Sequence, residues 1–89
     1  MIYKLVFLTS AQKEFKKLDG VAQKLIKEKL LLLSQDPEIL KNNLKSLQGS
    51  HKGKFRLRVG NYRVVIKKED DKLIITVISV GHRKDIYKL

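Results

Sequence analysis

The chain has 89 residues, 43% hydrophobic and 33% charged, with no cysteine and 20 Lys and Arg against 9 Asp and Glu, a formal net charge of +11. That length fits one compact domain over residues 1–89 and excludes a second; the apolar content excludes a disordered tail, and the missing cysteines exclude disulfides and thiolate metal sites. The cationic excess points to a polyanionic partner bound in a salt-dependent way, with a merely solubilising surface as the alternative.

Residues 2–8, β-branched and aromatic with Tyr3, Leu5 and Phe7 alternating against Lys4, read as a first strand. Thr9 with Gln12 fits a capping box that would open a helix carrying Ala11, Phe15 and Leu18 on one face, and Gly20 is expected to end it in a left-handed conformation. Residues 21–35 repeat the helical period, with Ala22, Leu25, Ile26, Leu30 and Leu33 on one stripe, and Asp36-Pro37 stops it. The Leu30 to Leu33 run is wider than one stripe needs, which leaves apolar surface for the core or for a docking partner.

Residues 38–53 read as a polar, basic loop anchored by Leu44 and Leu47. Strand signals then return over residues 54–59, 62–68 and 73–80, separated by Gly60-Asn61 and Glu69-Asp70-Asp71 turns, as in a β-meander. The fold class expected is therefore α+β, ordered β-α-α-β-β-β, with a helix hairpin packed on a mainly antiparallel four-stranded sheet.

Period-two geometry puts Phe55, Leu57 and Val59 on one face of the second strand and Lys54, Arg56 and Arg58 on the other. Arg63, across the hairpin, can join that basic face. Such clustering suits an anionic ligand, although a solvated cationic face would look the same. After the last strand come Gly81, His82, Arg83, Lys84 and, farther on, Tyr87. Arg can clamp phosphate and Tyr can stack on an unpaired base, whereas a bystander His82 and a Tyr87 that plugs the core are the plainer alternatives. His51 and His82 have no ligand partners at metal-binding spacing, so no metal and no cofactor are expected. No apolar run approaches the roughly 20 residues of a membrane helix, and the first residues lack a signal-peptide stretch, so a cytoplasmic protein without membrane contact is expected.

Three segments together resemble the RelE/ParE toxin superfamily: Leu47-Gln48-Gly49; Phe55-Arg56-Leu57-Arg58-Val59-Gly60-Asn61-Tyr62-Arg63-Val64-Val65; and Val77-Ile78-Ser79-Val80-Gly81-His82-Arg83 with Tyr87. The resemblance covers essentially the whole chain and extends to the element order. It implies the RelE-like fold and a toxin that cuts messenger RNA in the ribosomal decoding site, by attack of a ribose 2′-hydroxyl on the adjacent phosphate. By the same resemblance Arg56 and Arg58 match two family lysines, Arg63 and Arg83 two arginines, and Tyr87 a stacking tyrosine. The implied catalytic set is Arg58, Arg63, His82, Arg83 and Tyr87, with Lys52, Lys54, Arg56 and Lys84 holding RNA.

One departure matters, because the family lysine taken as general base corresponds to Arg58, and a guanidinium gives up its proton too reluctantly for that task. The role passes to Lys54, on the same face, or to His82, since an imidazole titrates near neutrality; otherwise Arg58 only stabilises charge. The implied partners are a cognate antitoxin, the ribosome with messenger RNA, and operator DNA only in company with the antitoxin. The alternatives are a ParE-like gyrase inhibitor without nuclease activity, and a non-catalytic module that binds nucleic acid or a protein.

Overall fold

The computed structural model describes residues 2–47 and 53–86. Its elements are β1 (Lys4–Phe7), α1 (Thr9–Lys16), α2 (Gly20–Gln35), a 3₁₀ segment (Pro37–Asn43), β2 (Leu44–Ser46), β3 (Lys54–Val59), β4 (Tyr62–Glu69), β5 (Ile74–His82) and a short α3 (Arg83–Ile86). The sheet has five strands in the order β1-β5-β4-β3-β2. The fold is α+β, as expected, but the strand count is corrected from four to five: Leu44-Lys45-Ser46, read as loop, pairs antiparallel with Arg56 and its neighbours on β3. Three residues are too few to display a period of two.

The first strand lies beside the last, parallel to it, with Lys4 opposite Ile74 and Phe7 opposite Val77. All other pairings are antiparallel. The helices and the sheet bury a common core of Ala11, Ile26, Leu30 and Leu33 against Leu57, Val59, Val64, Ile66, Ile75, Val77 and Val80. The expected stripe on α2 holds at Ala22, Ile26, Leu30 and Leu33, whereas Leu25 is 45% exposed at its rim.

Two helix-end expectations are corrected. No capping box forms at Thr9 and Gln12: α1 begins after Leu8, whose side chain can accept nothing, and the Gln12 N–H donates to the Leu8 carbonyl instead. Gly20 does not end α1 but is the first residue of α2, behind Asp19, whose carboxylate accepts from the Ala22 N–H at 2.8 Å. The end of α1 is satisfied from outside, by the Gln23 side-chain amide donating to the Leu18 carbonyl at 2.8 Å and by tight bonds from Lys17 and Leu18 back to Glu14 and Phe15. With a side chain covering the terminal carbonyls, no left-handed residue is needed there.

One irregularity decides how the sheet presents its side chains. Between β4 and β5 the register runs Val65 to Ser79 and then Ile66 to Val77, so Ile78 is an extra residue, a β-bulge. Alternation continues on either side of it but changes phase. Val77 and Val80 therefore both enter the core, Ser79 and Gly81 lie on the opposite face, and His82 returns to the helix-covered side.

Candidate nucleic-acid interface

With α1 and α2 on one face, the other face of β2, β3 and β4 is left to the remaining side chains. Register places Lys45 opposite Arg56, Lys54 opposite Lys67, and Arg58 opposite Arg63. Six cations thus share one surface, in three cross-strand pairs of like charge, an arrangement that costs stability in the absence of an anion. In the middle of this face Val65, between Arg56 and Ser79 in register, is only 3% exposed.

Toward β2 the surface becomes concave. A cleft of 220 Å³ is lined by Asn42, Asn43, Leu44, Lys45, Arg56, Arg58 and Arg63. The end of the 3₁₀ segment forms its wall and is tied to β3 by the Asn43 side-chain amide, which donates to the Arg58 carbonyl at 3.4 Å. Arg63 is held at the hairpin: its Nη1 donates to the carbonyls of Gly60 and Tyr62, each at 2.9 Å. Gly60 permits this turn because its φ is +57°, the left-handed region that side chains disfavour.

Sequence reasoning placed Lys54, Arg56, Arg58 and Arg63 on one face, and the structure brings them together there. Arg83 follows at the strand end, exposed, with its N–H donating to the Asn61 carbonyl at 2.9 Å. It therefore begins α3 beside the same turn that carries Arg63. Lys84 is exposed one residue further on. Lys52 and Tyr87 lie outside the described residues.

His82 is the exception. It pairs in register with Tyr62 rather than with an arginine, and the two rings meet edge to face with centroids 5.8 Å apart. Tyr62 packs against the core, so this ring pair stands on the helix-covered side of the sheet. The imidazole Nδ1 also receives the Lys84 N–H at 3.3 Å. His82, a candidate for the catalytic set, thus does not share the face of Arg58 and Arg63, and the bulge at Ile78 is the reason.

Lys45 and Lys67 were missed. Lys67 was readable, since counting by twos from Arg63 along β4 reaches it. Lys45 was not, because only the pairing of β2 brings it onto the face.

Elsewhere, the apolar surface expected from the Leu30 to Leu33 run is present. Leu31 is 47% exposed and lines, with Leu5, Phe7, Phe15 and Leu30, a groove of 260 Å³ rimmed by Lys16 and Lys27. The ion pairs among the described residues, Lys68 with Asp70 and Lys72 with Glu69, sit at the β4–β5 hairpin. No described helix is long and apolar enough to cross a membrane.

The family profile described as "ParE toxin of type II toxin-antitoxin system, parDE" matches residues 5–87. The mRNA interferase toxin RelE of Escherichia coli is 36% identical over 84 residues, which span 94% of this chain and 86% of that protein. Among solved structures, the isolated E. coli RelE toxin superposes with a TM-score of 0.75 at 30% identity, covering 97% of this chain and 92% of the other. The toxin chain of the intact E. coli RelBE toxin-antitoxin complex gives 0.72 at 32% identity, covering 90% and 95%. On sequence, topology and length together, the chain belongs to the RelE/ParE superfamily of type II toxin–antitoxin toxins.

Proposed function

We propose that this toxin is a messenger-RNA endonuclease that acts on the ribosome in the cytoplasm, using side chains of the basic sheet face and no metal or cofactor. The observation that carries the reading is the set of three like-charged pairs on one sheet face, two of them lining the cleft, a surface suited to a phosphodiester backbone. The name of the E. coli relative supports the substrate class.

In the proposed reaction a ribose 2′-oxygen loses its proton and attacks the adjacent phosphorus. A cyclic phosphate forms, and the 5′-oxygen leaves as it gains a proton. Arg58 and Arg63 neutralise the charge that builds on the phosphorane, Arg83 serves the scissile phosphate and its leaving oxygen, and Tyr87 stacks on a base. Lys45, Lys52, Arg56 and Lys84 hold the flanking phosphates. Lys54 is the general base, since it shares the face of Arg58 while His82 does not.

The cognate antitoxin is proposed as an acidic, amphipathic chain whose apolar side fills the groove at Leu31 and Phe15 and whose carboxylates cover the cations. Solved relatives include complexes of toxin with antitoxin, which supports such a partner. Operator DNA is bound only by the pair.

The test is to induce the protein in growing cells and map new messenger ends, together with DNA breaks. New 5′ ends within translated codons are expected. They should vanish in Lys54→Met, since removal of a general base costs about 10²–10⁴-fold, and persist in His82→Gln. The ParE description of the family profile favours a second reading, a gyrase inhibitor without nuclease activity; broken DNA with intact transcripts would establish it and defeat the first.

A further inference from the structure

Beyond Phe7, β1 no longer accompanies β5, and that edge of the strand has lost its neighbour just where the bulge disturbs the other side. The Leu8 N–H closes the last backbone bond, to the Val77 carbonyl at 3.0 Å. From there a single carboxylate takes over. Glu14, on α1, accepts from the Val80 N–H at 3.0 Å and from the Ser79 hydroxyl at 3.1 Å, with its second oxygen 3.4 Å from that hydroxyl. Glu14 and Ser79 are both half-buried.

A bulge is a choice of phase, and an unpaired edge lets the phase slip. Moving the strand end by one residue would carry every following side chain to the other face. Gly81 would leave Arg63, His82 would leave Tyr62, and the start of α3 at Arg83 would shift against the Asn61 carbonyl. Glu14 grips the two residues immediately after the extra one, Ser79 by its side chain and Val80 by its backbone. A charged acceptor makes both bonds stronger than a neutral one would.

We propose that Glu14 is a positioning residue: its carboxylate on helix α1 locks the bulge of β5 in phase, and so sets where Arg83 stands relative to Arg63. Among the described residues its side-chain hydrogen bonds go to Ser79 and Val80 and to none of the cations of the basic face. The proposal deepens the nuclease reading and rests on it for its kinetic consequence, although the lock itself is a property of the free protein.

The experiment compares full-length Glu14→Ala, Glu14→Gln and Ser79→Ala with wild type, by NMR of the free protein and by cleavage on programmed ribosomes. Glu14→Ala should speed exchange of the Val80 amide by on the order of tenfold or more, through loss of a charge-assisted bond. It should also abolish the ring contact between His82 and Tyr62. Its kcat should fall by up to about a hundredfold, as for a misplacement of about 1 Å at a site of chemistry, with KM little changed. Glu14→Gln keeps an acceptor oxygen for Val80 and should recover most of both effects. Ser79→Ala removes one donor and should fall between. Should Glu14→Ala be too unstable to purify, the Gln and Ser79 variants carry the comparison alone.

An unchanged Val80 amide and an unchanged His82–Tyr62 contact in Glu14→Ala, or in Ser79→Ala where Glu14→Ala cannot be purified, would overturn the lock. An intact kcat beside a shifted strand end would leave the lock standing and overturn the positioning role, since the phase would then have no catalytic consequence. If wild type itself cleaves no RNA, the proposed function fails, and the NMR result alone decides whether Glu14 holds the bulge.

Discussion

Arg58→Gln should make the protein more stable and less active. Arg58 is exposed on β3 and stands directly opposite Arg63 on β4, and two further like-charged pairs flank them. Exposed unit charges repel by about 1 kcal/mol at 4 Å in bulk water and by less when farther apart, in line with the 0.2–1 kcal/mol scale of cross-strand pairs. Gln keeps much of the aliphatic stem and removes the charge, so the expected gain is about 0.5 kcal/mol. For a domain of this size that raises the melting temperature by roughly 2–4 °C. The assay is thermal unfolding at low and high salt. The gain should shrink as the Debye length falls from about 10 Å at 0.1 M to about 3 Å at 1 M. Arg63→Gln provides the contrast, because it also loses the two bonds to the Gly60 and Tyr62 carbonyls and should show no gain. A variant Arg58→Gln that melts below wild type at low salt, or whose offset ignores salt, would refute the view that this face is held in electrostatic tension for a ligand.

Other consequences follow from the core, the turn and the far hairpin. Leu57 is fully buried in the central part of the sheet, and Leu57→Ala should cost about 2–5 kcal/mol in urea unfolding, through lost burial and the cavity left behind. A Cβ at Gly60 would meet nothing within 4 Å, so Gly60→Ala should cost only the left-handed backbone penalty, about 1–2 kcal/mol, measured the same way. At the opposite end of β4, Asp70 accepts from Lys68 Nζ at 2.6 Å and from the Tyr3 hydroxyl at 2.7 Å, and these two bonds hold its carboxyl below the usual carboxylate range. A carboxyl lowered in the folded state contributes stability above its unfolded pKa of about 3.9 and loses it as pH falls through the lower folded value. Asp70→Asn should therefore melt below wild type at neutral pH and converge with it in acid; a constant difference down to pH 2 would contradict the assignment.

Much of the interface could be read along the chain. Strict alternation from Lys54 to Val59 separates a cationic from an apolar face in any extended conformation, and Gly60-Asn61 announces the hairpin that returns Arg63 to Arg58. The α2 stripe and the Asp36-Pro37 stop were legible for similar reasons, since periodicity and proline act locally. Expectations failed where another partner serves the backbone, a nearby residue at the helix ends and a distant segment at the sheet edge and the bulge. Thr9 and Gly20 were good candidates for helix ends, but Leu8, Asp19 and Gln23 meet the needs of the terminal backbone groups once the helices pack. Lys45 reaches the site only because β3 offers an edge to a three-residue strand. His82 was assigned to the site on the chemistry of its ring, and there the chain was silent. Ile75, Val77, Ile78 and Val80 form a nearly continuous apolar run, in which no alternation marks the residue that is extra. That residue is chosen by the register with β4 and by the carboxylate of Glu14 on the other edge, both contacts between segments far apart in the chain. The face on which a strand's last side chains emerge is then a property of the pairing, since one inserted residue reverses the side of all that follow while leaving the composition of the strand unchanged.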